Sequence, residues 1–386
     1  IAASEATSQT TEATVPAATA DAQTTAVSTT ADASASAARV MIETDSLSGS
    51  ISLAGGRIDE LSLKNYRETL APDSDIVQLL KPTGQDEAYY ALFGWAPSTG
   101  LTLDTVPGSS TIWSVESGET LTPSTPVTLT WDNGAGLVFH REISIDDASM
   151  FSIKQSVENK SAGTVALAPY ATIARHGEPS DLKNFFVLHE GAIKSADGEY
   201  LETDYDDIEP SSDFEEQTLE KSGWTGFTDH YWQTALIVNE TGTKLSTFRD
   251  ARSDIFQATA KHATHTLAVG QTASASTRLF AGAKEWETIR NYENNENVPQ
   301  FLDSIDWGWF FFLTKPIFAV LHYLNAFIGN MGWAIIGLTF LIKLVLFPLA
   351  YKSNVSMAKM KALQPQMEKI KENAGDDKQK LQQEMM

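Results

Sequence analysis

Residues 331–350 read MGWAIIGLTFLIKLVLFPLA, a run of twenty residues in which Lys343 is the only charge. A helix rises about 1.5 Å per residue, so this run spans about 30 Å, the thickness of the hydrocarbon core of a bilayer. Its position far from the N-terminus excludes a cleaved signal peptide. We therefore predict a transmembrane helix over residues 331–350 and place the rest of the chain around it.

Lys343 is the residue of this helix that most needs an explanation. An ammonium group within the hydrocarbon costs about 2.5–3.5 kcal/mol on insertion scales, unless it pairs, snorkels to the interface or lines water. Thr339 lies one helical turn earlier and extends the same face. We predict that both side chains contact substrate in a hydrophilic groove; snorkelling of Lys343 toward the inner interface is the alternative.

Residues 301–330 are predicted to contain an amphipathic helix at the membrane interface. The sequence from 309 to 328 is apolar, with a narrow polar stripe that includes Lys315. Trp309 and Tyr323 are of the kind that favours the headgroup layer. A buried helix of a globular domain is the alternative interpretation.

Lysines are concentrated after the predicted span. Five lie within about 20 residues of its end, opposed there only by Glu368. They are Lys352, Lys359, Lys361, Lys369 and Lys371. The positive-inside rule therefore places residues 351–386 in the cytoplasm and residues 1–330 on the other side of the membrane.

The tail, residues 351–386, is predicted to form a helical hairpin. Methionines at helical spacing give it an apolar seam, lysines could rest on anionic lipid, and aspartates could cap a second helix. The side chains concerned are Met357, Met360, Lys359, Lys361, Asp376 and Asp377. A solvated charged face without a partner is the alternative, and the seam could serve either hairpin packing or the binding of apolar client segments.

Residues 40–300 have a different pattern, with short β-rich runs between turn signals such as Asn-Gly and Asp-Gly. Residues 140–157 alternate well enough to form a hairpin that turns at Asp146-Asp147. Only residues 281–293 resemble a helix, at the end of the domain. We predict one all-β sandwich of about 250 residues.

Charge is segregated along the chain, whose formal net charge is −22. Residues 316–386 hold eight Lys and five acids, or +3, which leaves −25 for residues 1–315.

The absence of Cys excludes a disulfide scaffold, thiolate zinc sites and a Cys nucleophile. Residues 1–39 are rich in Ala, Ser and Thr and are predicted to be a disordered linker, or else a tag or an N-terminus of no consequence.

Short motifs in the C-terminal part of the chain resemble those of the YidC/Oxa/Alb family of membrane-protein insertases. They are DWGW at 306–309, TKPIF at 314–318, GNMGW at 329–333, TFLIK at 339–343, PL at 348–349, SMAKM at 356–360, LQP at 363–365 and GDDKQ at 375–379. Weaker similarities are GGRI at 55–58, GWTG at 223–226 and YWQTA at 231–235. The resemblance covers residues 40–386 and is strongest at the C-terminal end.

The resemblance implies a fold and a function. The fold is a mainly β periplasmic domain, a β-supersandwich, followed by an interfacial amphipathic helix, one transmembrane helix and a cytoplasmic helical hairpin. The function is the insertion and folding of inner-membrane proteins, alone or with the Sec translocon, and it is not enzymatic. The family carries an Arg or Lys in its groove, and Lys343 matches that position.

The resemblance also implies partners and a location. The partners are nascent membrane proteins, the Sec translocon, the ribosome and anionic lipids, with no cofactor, no metal and no direct recognition of nucleic acid. The location is the bacterial inner membrane, with residues 1–330 periplasmic and residues 351–386 cytoplasmic. The family core has five transmembrane helices after an N-terminal anchor, so we expect this sequence to be a piece of a longer chain.

Three other classes of function stay open on the sequence. An enzyme could use His140, His176, His189 and the pair Asp229-His230, although no paired-carboxylate spacing supports it. A membrane-anchored β-sandwich could instead bind a peptide, a glycan or a Sec-associated partner. One span with one lysine could also belong to a channel or transporter, which the family motifs oppose.

Overall fold

The computed structural model describes residues 37–71, 73–180, 182, 188–211, 215–250 and 252–374, with side chains up to residue 365. These residues form two compact units, a β unit that ends at Asp306 and a helical unit that begins at Trp307. The predicted linker, residues 1–39, lies outside the described residues apart from its last three. Of these, Arg39 already belongs to the first strand.

Within the described residues, the β unit contains 21 strands. Their bounds are β1 (Arg39–Glu43), β2 (Leu47–Ser52), β3 (Arg57–Arg67), β4 (Ile76–Leu80), β5 (Tyr89–Pro97), β6 (Ser114–Ser117), β7 (Thr120–Leu121), β8 (Val127–Asp132), β9 (Leu137–Ile145), β10 (Met150–Asn159), β11 (Val165–His176), β12 (Gly191–Ala196), β13 (Glu199–Asp204), β14 (Pro210–Ser211), β15 (Gln217–Thr218), β16 (Gly223–Thr228), β17 (Trp232–Val238), β18 (Lys244–Asp250), β19 (Ile255–Lys261), β20 (His265–Leu267) and β21 (Thr272–Ala283).

The strands form two sheets. The larger sheet has the order β14-β18-β19-β11-β5-β3-β2-β1-β7, with β4, β15 and β20 paired beside β3, β18 and β11. The smaller sheet has the order β13-β12-β16-β17-β21-β10-β9-β8-β6. Among the described strands, pairing is antiparallel except between β1 and β7 and between β14 and β18. The predicted mainly β, sandwich-like fold is confirmed.

The predicted hairpin at Asp146-Asp147 is also confirmed, because β9 and β10 pair antiparallel on either side of it. The Asp146 carboxylate accepts hydrogen bonds from the backbone N–H groups of Ala148 (2.9 Å) and Met150 (2.8 Å). An Asp side chain that bonds to the backbone in this way shapes the turn. The local sequence therefore determines the register of this hairpin.

Apolar side chains from facing surfaces of the two sheets form the main core. Along β9 every second residue is buried, as the two-residue period of a strand requires. Trp95 of β5 and Phe139 of β9 meet between the sheets with ring centroids 6.0 Å apart, and both are almost fully buried. This core holds the sandwich together.

A buried cation fills a gap in this core. Arg141 of β9 is fully buried and donates to the carbonyls of Gly56 (2.8 Å), Gly55 (3.2 Å) and Phe93. Burial lowers the pKa of the Arg141 guanidinium to about 9. Gly56 has φ +59°, and a Cβ there would collide with the guanidinium, which explains why the GGRI motif needs glycine at this position.

The first α-helix, α1 (Trp286–Asn295), packs on the outer face of the smaller sheet. Its Ile289 and Tyr292 join Trp224, Phe280 and Phe301 in a second apolar cluster. The sequence predicted a helix over residues 281–293, and its first part is wrong. Residues 281–283 end strand β21, where they pair with β17, so the helix cannot begin before that pairing ends.

The helical unit consists of α2 (Phe311–Ile328) and α3 (Met331–Ala374). Gly329 ends α2 in the left-handed conformation (φ +73°), and the Asn330 side chain accepts a hydrogen bond from the Trp333 N–H (3.2 Å) at the start of α3. Of the predicted segment 301–330, residues 301–304 form a short 3-10 turn in the β unit.

The longer helix, α3, continues without a break through the boundary predicted between residues 350 and 351. It includes Pro348 and Pro365 and extends to Ala374. The first helix of the predicted tail thus forms one element with the predicted span. The predicted second helix, with Asp376 and Asp377, lies outside the described residues.

Truncation of Trp224 tests the second apolar cluster. The side chain is fully buried and donates from Nε1 to the Pro299 carbonyl (2.8 Å). We expect Trp224→Ala to lower the free energy of unfolding of the β unit by about 3–5 kcal/mol, because it leaves a cavity and an unpaired carbonyl. Urea denaturation followed by circular dichroism measures the change. Leu201→Ala, at a residue 54% exposed, is the control and should change it by less than about 0.5 kcal/mol.

Glu87 gives the β unit an acid-sensitive contact. Hydrogen bonding from Ser180, whose backbone N–H lies 2.8 Å from the carboxylate, and pairing with Lys81 (3.1 Å) lower the pKa of Glu87 to about 2. A carboxyl of lowered pKa stabilises the fold above its unfolded pKa of 4.5 and loses that effect as pH falls toward 2. We expect Glu87→Gln to lower the urea midpoint at pH 7, and the difference to shrink below pH 4.5. A difference that stays constant with pH would contradict this assignment.

Candidate functional site

The polar face of α3 lies on the side of the helix away from α2. Ala334 is fully buried, and a Cβ added at Gly337 would meet Ile328 of α2 at 3.9 Å, so these residues mark the contact between the two helices. Successive helical residues are about 100° apart, which puts Thr339 and Lys343 about 140° and 180° from Ala334. The structure therefore places the two predicted groove residues together on the opposite face.

Lys343 has no acidic residue near it in sequence. No Asp or Glu occurs between Trp307 and Met367, and Lys343 itself is exposed on α3. Its neighbours along the helix are apolar and also exposed, among them Phe340 (68%) and Phe347 (64%). Stabilisation of this ammonium must therefore come from outside this part of the chain, by solvation with water or by a countercharge such as a lipid phosphate or an acidic group of a bound substrate.

Thr339 shares the face of Lys343 but not its bonding capacity. Its hydroxyl donates to the Ile335 carbonyl one turn earlier (2.9 Å), as Thr commonly does inside helices. The oxygen can still accept a hydrogen bond. Of the two residues, Lys343 alone has donors that the helix does not use.

The apolar surface around this site is that of a membrane protein. By length and composition, both Phe311–Ile328 and Met331–Pro365 could cross a membrane, and scarcely any of either is buried by the protein. The predicted span is therefore compatible with the structure. The interfacial position of α2 stays a prediction, because the same criterion admits α2 as a span.

The residues predicted to lie at the interface are exposed at the start and along the length of α2. Trp309 is 88% and Tyr323 59% exposed. The Lys315 ammonium lies 5.8 Å from the ring centroid of Trp307 and 5.9 Å from that of Phe311, within the range of cation–π attraction. Neither partner was predicted from the sequence. Phe311 lies four residues before Lys315, one helical turn away, whereas Trp307 precedes α2 and its contact depends on the course of the chain before the helix.

The described part of the predicted tail presents its candidate residues to the outside. Met357 is 56% and Met360 63% exposed, on one face of α3. Lys359 and Lys361 are exposed as well. The structure thus brings the two methionines together as a continuous apolar strip and leaves the two lysines beside it.

The histidines considered for an enzyme are separated in the β unit, each with its own partner. His140 pairs with Glu116 (2.8 Å) and His189 with Asp204 (2.8 Å), while His176 lies 3.4 Å from the Tyr90 hydroxyl. Asp229, the carboxylate considered with these histidines, pairs with Arg175 instead (2.7 Å). Within the described ranges, no group of three or more His, Asp or Glu side chains could hold a metal ion.

Comparison with known protein families gives two matches. Residues 39–320 match the family model described as the YidC periplasmic domain, and residues 323–386 match the model described as the 60Kd inner membrane protein. Together these matches support the predicted inner-membrane location and identify the β unit as a periplasmic domain.

Relatives named membrane protein insertase YidC occur in several bacteria. The chain is 60% identical over 349 residues to that of a Ruegeria species, covering 88% of this chain and 57% of the relative. The protein of Roseobacter denitrificans is 59% identical (91% and 59% covered), and that of Cereibacter sphaeroides 53% (99% and 63%). The chain thus spans less than two thirds of the length of these relatives, whose name is that of an insertase and not of an enzyme.

Among solved structures, a galactose mutarotase-like protein from Lactobacillus casei aligns with 63% of this chain and all of its own, at 10% identity and a TM-score of 0.44. This similarity is too low to support a statement about function. The periplasmic-domain model, by contrast, matches well over half of the chain. On that match, the chain belongs to the YidC family.

Proposed function

We propose that this chain is part of a membrane-protein insertase that inserts and folds proteins of the bacterial inner membrane. The observation that carries the proposal is the position of Lys343. Lys343 is the only charge within residues 331–350 of α3; it lies on the face away from α2, and no acidic residue occurs between Trp307 and Met367. Membership of the YidC family, whose relatives are named insertases, supports the same function.

Lys343 lowers the energy of bringing a polar segment into the membrane. Charged side chains in the hydrocarbon are retained where they line water or meet an opposite charge. A client segment that carries an acidic residue offers that opposite charge, and attraction between the two is stronger at low dielectric than in water. Thr339 adds a hydrogen-bond acceptor to the same face, so the groove receives polar groups at two neighbouring points.

Insertion itself needs no covalent step. Once the polar segment is held beside Lys343, the apolar helix of the client can move from the groove into lipid. Burial of apolar surface releases about 25 cal/mol per Å², which supplies the driving force. The protein therefore provides a path and an electrostatic attraction, and the client provides the energy.

The remaining parts of the chain have distinct places in this function. Residues 1–330 lie in the periplasm and residues 351–386 in the cytoplasm, in keeping with the lysines that follow the span. The strip of Met357 and Met360 contacts apolar client segments or a second tail helix, and Lys359 and Lys361 contact anionic lipid. Nascent membrane proteins, the Sec translocon and the ribosome are the proposed partners.

Substitution of Lys343 tests the proposed electrostatic role. We expect Lys343→Ala to reduce insertion of an acidic client by about tenfold or more, the effect of losing an interaction of about 1.4 kcal/mol, while Lys343→Arg keeps the charge and most of the activity. Complementation in cells depleted of their own insertase, at matched protein levels in the membrane, measures the effect. Lys352→Ala, at an exposed lysine of the same helix beyond the predicted span, is the matched control, and full activity of Lys343→Ala would refute the role.

Cysteine labelling distinguishes a water-filled groove from snorkelling. Residues 1–386 contain no Cys, so once any cysteine in the rest of the protein is replaced, Lys343→Cys carries a single thiol, too short to snorkel. In the full-length protein we expect a membrane-impermeant maleimide added from the cytoplasmic side to label it. Leu341→Cys, at nearly the same depth on the opposite face of α3, should stay unlabelled because it faces lipid or α2. Equal protection of both thiols would leave snorkelling as the explanation of Lys343.

A further inference from the structure

A connected group of rings lies at one end of the β unit. We name this group the aromatic tip; it consists of Tyr66, His230, Tyr231 and Trp232. Ring centroids are 5.1 Å apart for Tyr66 and Trp232, 6.0 Å for Tyr231 and Trp232, and 3.9 Å for His230 and Tyr231. Tyr231 is 60% exposed, so the tip presents an aromatic surface to its surroundings.

Hydrogen bonds connect the aromatic tip to the end of the β unit. The Tyr231 carbonyl accepts from the backbone N–H of Lys284 (2.8 Å), and the Lys284 ammonium donates to the Asp306 carboxylate (3.4 Å). The same carboxylate accepts from the backbone N–H of His189 (3.0 Å). The side chains of Lys284 and Asp306 are only 6% and 18% exposed. The tip is therefore held beside Asp306, the residue at which the β unit ends.

A buried ion pair fixes the turn that carries the tip. Arg175 of β11 lies 2.7 and 2.8 Å from the two carboxylate oxygens of Asp229, the residue before His230. The guanidinium also donates to the Tyr205 hydroxyl (3.0 Å) and lies over the ring of Tyr89, 4.6 Å from its centroid. Because Arg175 belongs to the larger sheet and the turn to the smaller one, both sheets hold the tip in place.

The predicted membrane segments of the chain begin a short distance after Asp306. Phe311, the first residue of α2, follows five residues later, and five residues span at most about 18 Å. Trp309 and Phe312, 88% and 68% exposed, are aromatic side chains of the kind that lies at the headgroup layer. A surface that touches the end of the β unit is thus within reach of that layer.

We propose that the aromatic tip of the β unit contacts the headgroup layer of the outer leaflet. Tyrosine and tryptophan combine an apolar ring with a polar end, which suits a boundary that is wet on one side and apolar on the other. This inference rests on the membrane location in the proposed function, and it is independent of the groove role of Lys343.

Fluorescence quenching tests the contact in the full-length protein. Residues 1–386 contain no Cys, so once any cysteine in the rest of the protein is replaced, Tyr231→Cys can be labelled with a single environment-sensitive fluorophore. The labelled protein is then placed in phosphatidylethanolamine vesicles. Some of the lipid carries a spin label on its headgroup, which quenches nearby fluorophores. We expect quenching at residue 231 that approaches the quenching at Trp309→Cys. His230→Cys provides a second position in the tip if Tyr231→Cys does not fold.

Val269→Cys is the matched negative control. Val269 is 55% exposed, close to the 60% of Tyr231. Val269 precedes strand β21, whereas Lys284, which bonds to the Tyr231 carbonyl, follows the same strand at its other end. Twelve strand residues at about 3.3 Å each separate the two ends by about 40 Å. Quenching at 231 as weak as at 269, with Trp309→Cys quenched, would overturn the proposed contact. If Trp309→Cys were also unquenched, the membrane location on which the contact depends would be overturned with it.

Discussion

The helical unit depends on how one charge is solvated, that of Lys343 in the apolar segment 331–350 of α3. Lys343 has no acidic residue between Trp307 and Met367 to pair with, and the surrounding side chains of α3 are apolar. Such a charge is stable only where water, a headgroup or a substrate carboxylate solvates it. The face of α3 away from α2 must therefore be solvated differently from the rest of the segment, and this difference is the basis of the proposed groove.

In the β unit, by contrast, buried charges such as Arg141 and Arg175 are stabilised by partners within the protein. Arg141 is bound by backbone carbonyls at the Gly55-Gly56 turn, and Arg175 by the carboxylate of Asp229. Removing one partner of such a buried group costs more than an exposed ion pair contributes, so these contacts hold loops and sheets in fixed positions. Rigid loops at the end of the β unit follow from this arrangement, including the turn that carries Tyr231.

The two units also differ in the solvent for which their surfaces are suited. The chain up to residue 315 carries −25 and the rest +3, and the exposed large apolar side chains are concentrated after Trp307. Acidic surface favours solubility in water, whereas apolar helices followed by lysines favour a membrane with the lysines in the cytoplasm. The division at Asp306 is thus a boundary between solvents as well as between compact units.

The sequence by itself determined the features that depend on local pattern. The apolar helix that begins at Met331, the hairpin at Asp146-Asp147 and the shared face of Thr339 and Lys343 follow from length, alternation and helical period, which depend on whether each face is in water or in an apolar environment. The membrane span at 331–350 stays a prediction. Only the tertiary structure decided which distant segments are partners. Residues 281–283, Ala-Gly-Ala, directly precede a helical pattern and yet form a strand, because β17 pairs with them. The contact between Lys284 and Asp306 joins residues 22 positions apart, with no local motif that links them. Such partners are set by packing over the whole domain, which no short stretch of sequence contains.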